Sequence, residues 1–541
     1  MLASLVNAVT NVDGKTCLVA VPVLLVLAHV IPWLVDVHGI RSYPGPFWAR
    51  FTDLWLGWVA AQGHRSEVVH EMHNKYGPIV RIAPNHISIS DPEALQIVYA
   101  HGNGSLKSNF YDAFVSIHRG LFNTRDRAAH ARKRKIVSHI FSQKNVLEFE
   151  PHVREYVKSL IAQWDRLYDL AVNGESGTEG EGGWVGREGR LWLDCLPWYN
   201  YLAFDIIGDL AFGSPFGMLQ AAKDSAPVAK SAKDAIAAYG QDEAKVEVVH
   251  IPAVQILNDR GEFSASMGVL PPWLRPYVKR YIPWFSKGDQ AVKNLAGLAI
   301  AAVSKRLNQP TYRVDLLSKL QEGKDDEGRP MGREELTAEA LTQLIAGSDT
   351  TSNTSCAITY YLAANPAVQE KLHVELDAAL GNEDDPASTF EQTKNLKYLQ
   401  AVIDESIRLH STSGIGLPRI APEGGLTVCG KYFPEGTILS VPSYTIHRDV
   451  DVWGYDVEAF RPERWFERDA EMIQKAYNPF SFGPRACVGR NLASMELLII
   501  ISSILRRYDF VLEDPTKPFA TKEGFLRKPV DCKIGIKRRN L

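Results

Sequence analysis

Ten residues near the C-terminus, Phe480-Ser481-Phe482-Gly483-Pro484-Arg485-Ala486-Cys487-Val488-Gly489, place one thiol among glycines, a proline and a fixed positive charge. Gly483, Pro484 and Gly489 are expected to mark a backbone that turns tightly and is approached closely. Arg490 to Ile500 then reads as a largely apolar helix, which puts Cys487 just before a helix N-terminus. Aligned peptide dipoles and free amide hydrogens favour an anion there, and a bound metal lowers the thiol pKa further. The chemistry this allows is metal ligation by a thiolate. The bland alternative is a buried structural cysteine in a turn.

A second group of reactive residues interrupts an apolar pattern. Leu336 to Asn365 predicts a helix of about eight turns, far longer than the usual three. Such a helix must cross the domain and be buried midway. Its middle reads Ala346-Gly347-Ser348-Asp349-Thr350-Thr351, where a glycine, hydroxyls and a carboxyl replace core residues. Thr350 can bond the carbonyl of Ala346 four residues back, which is expected to open the helix locally and leave room for a small molecule.

The pattern Phe-x-x-Gly-x-Arg-x-Cys-x-Gly resembles the haem-binding signature of the cytochrome P-450 superfamily, with Phe480, Gly483, Arg485, Cys487 and Gly489 at the matching positions. The resemblance implies haem b with Cys487 as its axial cysteinate. It also implies that Thr350 passes protons through water to dioxygen and that Asp349 supplies them. Arg419 and Arg485 are implied as propionate partners, together with His130 and Arg134, which stand one turn apart on a basic helix beginning at Arg127. Glu405 and Arg408, with Arg464 from Phe460-Arg461-Pro462-Glu463-Arg464-Trp465, resemble the superfamily's buried structural network. Arg132, Lys133 and Lys135 are candidates to meet an acidic redox partner. A cysteinate favours cleavage of the O–O bond. A GxGxxG nucleotide fold or flavin segment is not evident in the chain, so electrons are expected from NADPH through a separate NADPH-cytochrome P-450 reductase.

Length alone would divide 541 residues into several domains. The resemblance overrides that and implies one mostly α domain with small β-sheets. A net charge of -3 gives no global positive excess that would point to nucleic acid. The six cysteines are scattered without CxxC pairs, which suggests neither a disulfide framework nor a zinc cluster and fits a reducing compartment.

Thr16 to Val35 is uncharged and apolar, and roughly twenty such residues are enough to span a bilayer. It is read as a membrane anchor within residues 1–38, with a cleaved signal peptide or a helix lying in the interface as alternatives. Flanking charges are too balanced to set orientation. The resemblance implies a single pass in the endoplasmic reticulum membrane with the catalytic domain, residues 51–541, in the cytoplasm. Residues 39–50, which include Tyr43-Pro44-Gly45-Pro46-Phe47, read as a hinge.

Pro78 to Ala83 and His86 to Ser90 alternate as a short hairpin does, and Asp91-Pro92-Glu93 starts a helix. His101 to Asp126 reads as a long loop suited to substrate contact. Gly174 to Arg190, rich in glycine and acidic residues, reads as a disordered insertion. Trp198 to Phe212 predicts a partly buried helix, and Thr437 to Pro442 a strand.

Beyond the superfamily, Phe110 to Arg127, Leu341 to Ala357, Val441 to Arg448 and Glu523 to Pro529 resemble the fungal benzoate 4-monooxygenase family. That implies para-hydroxylation of benzoate. Another small aromatic or secondary metabolite remains the alternative substrate, and a non-monooxygenase haem-thiolate enzyme the alternative class. The likeness departs from about Lys223 to Tyr281. An aromatic acid needs an apolar slot and a few donors for its carboxylate, and Tyr111 with Ser108 or Ser116 in the distal loop are expected to supply them.

Overall fold

The computed structural model describes residues 14–229, 248–308, 315–325, 327–381 and 384–540. The chain begins with helix α1 (Gly14–Val35), then strands β1 (Ile79–Ala83), β2 (His86–Ile89) and β3 (Leu106–Lys107). Helices α2 (Arg127–Ile140) and α3 (Glu150–Ala171) follow, then β4 (Ser176–Gly177), β5 (Trp184–Arg187), β6 (Arg190–Asp194) and α4 (Cys195–Phe212). Next come α5 (Ala253–Val269), α6 (Pro283–Asn308), α7 (Arg333–Ala364) and α8 (Lys397–His410). Strands β7 (Arg419–Ile420) and β8 (Ile438–Ser440) lead to α9 (Arg490–Arg507), β9 (Tyr508–Leu512), β10 (Thr521–Glu523), β11 (Arg527–Pro529) and β12 (Lys533–Arg538).

Two small sheets frame this helical body, in the orders β1-β2-β8-β7-β3 and β9-β12-β6-β5-β4. The predicted hairpin forms: β1 pairs antiparallel with β2, Ile79 facing Ile89. The Asp91 carboxylate accepts the Glu93 amide at 2.9 Å and so caps the next helix. The long distal loop holds only β3 and a 3-10 turn, Asn109–Phe114.

Helix α7 crosses the domain and packs along α4, and Gly347 shows how closely. A Cβ on Gly347 would stand 2.8 Å from Ile207 Cδ1 of α4, so the glycine is required by packing as well as by the space beside it. The expected local opening is absent, and α7 runs unbroken through Thr350. Thr350 Oγ1 still donates to the Ala346 carbonyl at 2.7 Å, but a single back-bonded hydroxyl leaves the backbone ladder in place.

Two further expectations are corrected. The glycine-rich insertion is ordered, because β5 pairs with β4 and β6 and buries Trp184, whose indole donates to Glu179 at 2.7 Å. Its glycines serve turns: Gly180, Gly182, Gly183 and Gly189 all have positive φ. Within the proline-rich segment, residues 39–50, the Pro44-Gly45 pair lies against β1. The Arg81 amide donates to the Pro44 carbonyl at 2.8 Å, and a Cβ on Gly45 would lie 2.1 Å from the Arg81 oxygen. Lys133 is buried and pairs with Glu335, so its charge is matched inside the fold rather than offered to a partner, while Arg132, on the same carboxylate, stays partly exposed.

The scattered cysteines also hide a convergence. The thiols of Cys195, Cys356 and Cys532 lie within 4.8 Å of one another in the apolar core. Among the described residues no helix is long and apolar enough to cross a membrane; α1 carries Pro22 and Pro32 and leaves Leu24, Leu25 and Val26 exposed.

Candidate active site

The cysteine loop is shaped by its neighbours. Gly483 has φ +70°, and a Cβ there would lie 1.9 Å from the Tyr99 carbonyl oxygen, so only glycine fits. The Cys487 amide donates to the Phe480 carbonyl at 2.8 Å, and Arg134 from α2 donates to the Ala486 carbonyl at 2.5 Å. These bonds aim the thiol into a cavity of about 370 Å³ whose other wall is α7. Cys487 is exposed and lines this cavity. Burial pushes the thiol pKa up, while a Gly489 backbone hydrogen bond and the charges of Arg134 and Arg490 pull it down. A bound cation would reverse that balance outright.

One rim of the cavity is cationic. Lys107, His130, Arg134, Arg419 and Arg485 all line it. Arg485 donates to the Thr124 carbonyl at 2.6 Å, and Arg419 donates to the Tyr111 hydroxyl at 2.8 Å. Lys107 bonds the Phe122 carbonyl and sits 4.3 Å from the centre of the Tyr111 ring. None of the four cations makes an ion pair among the described residues, and Arg419 Nη2 is buried without a partner. The cost shows on their neighbours: burial, then Arg485, Lys107, Arg134 and Arg419, push His130 down to about 3. Unpaired buried charge of one sign is expensive unless an anion arrives. This donor set therefore suits a dicarboxylate such as the two haem propionates, with Cys487 presented to the metal.

Tyr99 joins the two halves of the site. Its carbonyl lies over Gly483, while its hydroxyl donates to the Leu417 carbonyl at 3.0 Å and accepts the Val441 amide at 3.1 Å. Arg419 stacks 5.0 Å from the centre of its ring.

The opposite wall holds Thr350 and, behind it, Asp349, which is buried and pairs with Lys528 Nζ of β11 at 2.6 Å. Thr351 donates to Glu496 of α9 at 2.8 Å. Sequence reasoning missed Lys107, Lys528 and Glu496, because each is tied to the site by a contact more than a hundred residues away or by a loop of no regular period. The predicted structural triad assembles: Arg408 reaches Glu405 with two bonds of 2.9 Å, Arg464 reaches it at 2.8 Å, and all three side chains are fully buried. Of the distal-loop hydroxyls, Ser108 caps the 3-10 turn outside the cavity lining, Tyr111 is held by Arg419, and Ser116, which lines the cavity, has a buried Oγ without a partner.

The Cytochrome P-450 family profile matches residues 43–536. The chain belongs to the cytochrome P-450 family. As a P-450 it is 51% identical over 525 residues to a benzoate 4-monooxygenase of Aspergillus niger, covering 95% of this chain and 96% of that one. A cytochrome P-450 monooxygenase of Penicillium roqueforti is 31% identical over 88% of this chain and 90% of its own. Another, from Penicillium aethiopicum, is 29% identical over 95% and 97%. The haem of a P-450, when bound, supplies the redox chemistry that puts one atom of dioxygen into a substrate and releases the other as water.

Two acids in the cavity wall make stability depend on pH. Burial pushes Glu339 and Glu496 each up to about 7 from 4.5. The native state thus holds protons that the unfolded chain gives up between those values, and its stability falls as pH rises through the window. The urea midpoint is expected to drop from about pH 4.5 to about pH 7. The double variant Glu339→Gln/Glu496→Gln should make that drop shallower, and an unchanged slope would show that neither acid is protonated in the native protein.

Proposed function

We infer that the protein hydroxylates benzoate at the position para to the carboxylate, giving 4-hydroxybenzoate. The observation that carries this reading is the 51% identity to the Aspergillus niger benzoate 4-monooxygenase across nearly the whole of both chains. The cavity supports it. Phe114, Phe122 and Phe525 pack edge to face with ring centres 5.0 to 5.6 Å apart and give the cavity an apolar aromatic wall against which a substrate ring can lie.

In this reading Thr350 is the hydroxyl that hands protons to dioxygen through water, and Asp349, kept in place by Lys528, is their source. Electrons come from NADPH through a separate NADPH-cytochrome P-450 reductase. We place the protein at the endoplasmic reticulum membrane with the catalytic domain in the cytoplasm. Support comes from the exposed apolar side chains of α1 and, beside it, exposed Phe47, Trp48 and Trp58, with Trp33 packed 5.3 Å from Phe51. Such aromatic surfaces sit well at a membrane interface.

Titrating the purified haem protein with benzoate should shift the Soret band as water leaves the metal, and reconstitution with reductase and NADPH should yield 4-hydroxybenzoate. No shift and no product with benzoate, against turnover of another aromatic, would overturn the substrate assignment.

A further inference from the structure

The cavity contains a second polar group, apart from the cationic rim. Arg260 of α5 lines the cavity wall and is only 7% exposed. Its Nη2 donates to the Phe114 carbonyl at 3.1 Å, but its buried Nε has no acceptor, and among the described residues it makes no ion pair. Ser116, two residues past Phe114, lines the same cavity with an unpartnered hydroxyl. Gln343 of α7, 6% exposed, also lines it, and neither its amide oxygen nor its amide nitrogen has a partner.

Buried polar groups are nearly always satisfied, so a guanidinium nitrogen, a hydroxyl and a carboxamide left without partners in residues that wall one cavity call for a ligand that draws them into it. An anionic ligand suits the site, because Arg260 makes no ion pair among the described residues and a neutral occupant would not supply one. Asp349 does not fill that role. It is engaged by Lys528, and Arg260 feels it only at a distance. Gln343 precedes Thr350 by seven residues, close to two turns, so it stands on the same face of α7 roughly 10 Å further along the axis. A small aromatic acid can bridge that gap with its ring against the wall formed by Phe114, Phe122 and Phe525.

We propose that Arg260, Ser116 and Gln343 form the subsite that binds the substrate carboxylate, Arg260 as the charge partner and the other two as hydrogen-bond donors. This rests on the reading of the substrate as an aromatic acid and explains its regiochemistry. With the carboxylate held at the far end, the para carbon is the ring position presented toward Thr350 and Cys487.

The test is a spectral titration of the haem-loaded wild type and variants with sodium benzoate and with neutral benzamide. Arg260→Met should raise the Kd for benzoate by at least about thirtyfold, as loss of one partner of a buried charge pair does, while changing the Kd for benzamide less than threefold or so. Arg260→Lys should recover part of the benzoate affinity, and Ser116→Ala should weaken benzoate several-fold. Equal losses for both ligands, or benzoate binding unchanged in Arg260→Met, would overturn the subsite while leaving the benzoate reading intact. A wild type that binds neither benzoate nor a substituted benzoate would remove that reading and the subsite with it. Should Arg260→Met not fold, Arg260→Lys decides: a larger loss for benzoate than for benzamide supports the subsite, and equal changes overturn it.

Discussion

Cys487→Ser is expected to give a folded protein with no monooxygenase activity. The loop does not depend on sulfur for its shape. Gly483 seats it against Tyr99, Arg134 ties it through the Ala486 carbonyl, and the amide of residue 487 bonds the Phe480 carbonyl. The hydroxyl of serine keeps the small size of the thiol but not its acidity, so it cannot offer the metal a comparable anion. Far-ultraviolet circular dichroism should match the wild type. Reduced protein under carbon monoxide should lose the absorbance of a sulfur-ligated haem, and product formation should fall to background. A variant retaining that absorbance would show that another residue is the ligand.

The second large effect is on stability. Glu405→Gln leaves the guanidinium of Arg408 fully buried with no charge to balance it, and leaves Arg464, equally buried, with Asp456 as its one remaining acidic partner. Breaking such a group by removing one partner costs about 3–5 kcal/mol, against a total domain stability of about 5–15 kcal/mol. Little folded protein should survive at physiological temperature, and the haem content of the purified fraction should fall with it. Arg408→Lys should do nearly as much harm. Arg408 also donates to the His447 and Val457 carbonyls, each at 2.8 Å, and an ammonium cannot reproduce that planar fork. A thermal midpoint within a few degrees of wild type in Glu405→Gln would mean that the triad contributes little to stability.

Much of the site was legible because its chemistry conflicts with local structure. Glycines and a cysteine before an apolar helix, and an acid with a hydroxyl inside a core helix, are unfavourable choices for packing alone. Short-range features, such as the hairpin of β1 and β2 and the Asp91 cap, were readable for the opposite reason, since propensity and pattern agree there. Long-range pairings carried no such mark. Lys528 gives no sign in the sequence that it faces Asp349, and Arg260 lies in the stretch where the family likeness is weakest. Composition misled at Gly174 to Arg190, where low hydrophobicity suggested disorder although Trp184 alone gives the hairpin a buried anchor and the glycines fit its turns. At Lys133 a run of basic residues concealed a buried charge matched by Glu335.

The seat of Gly483 on Tyr99 has a metrical consequence. A rigid phenol acts as a strut, its peptide end propping the sulfur-bearing loop and its oxygen end fastened to the segments that carry the guanidinium above. The height between floor and ceiling is therefore fixed by the length of one aromatic side chain, before any guest enters. Shortening that strut should detune the chamber as a whole, altering how well a planar macrocycle is gripped at both edges at once, even though no reacting atom has been touched.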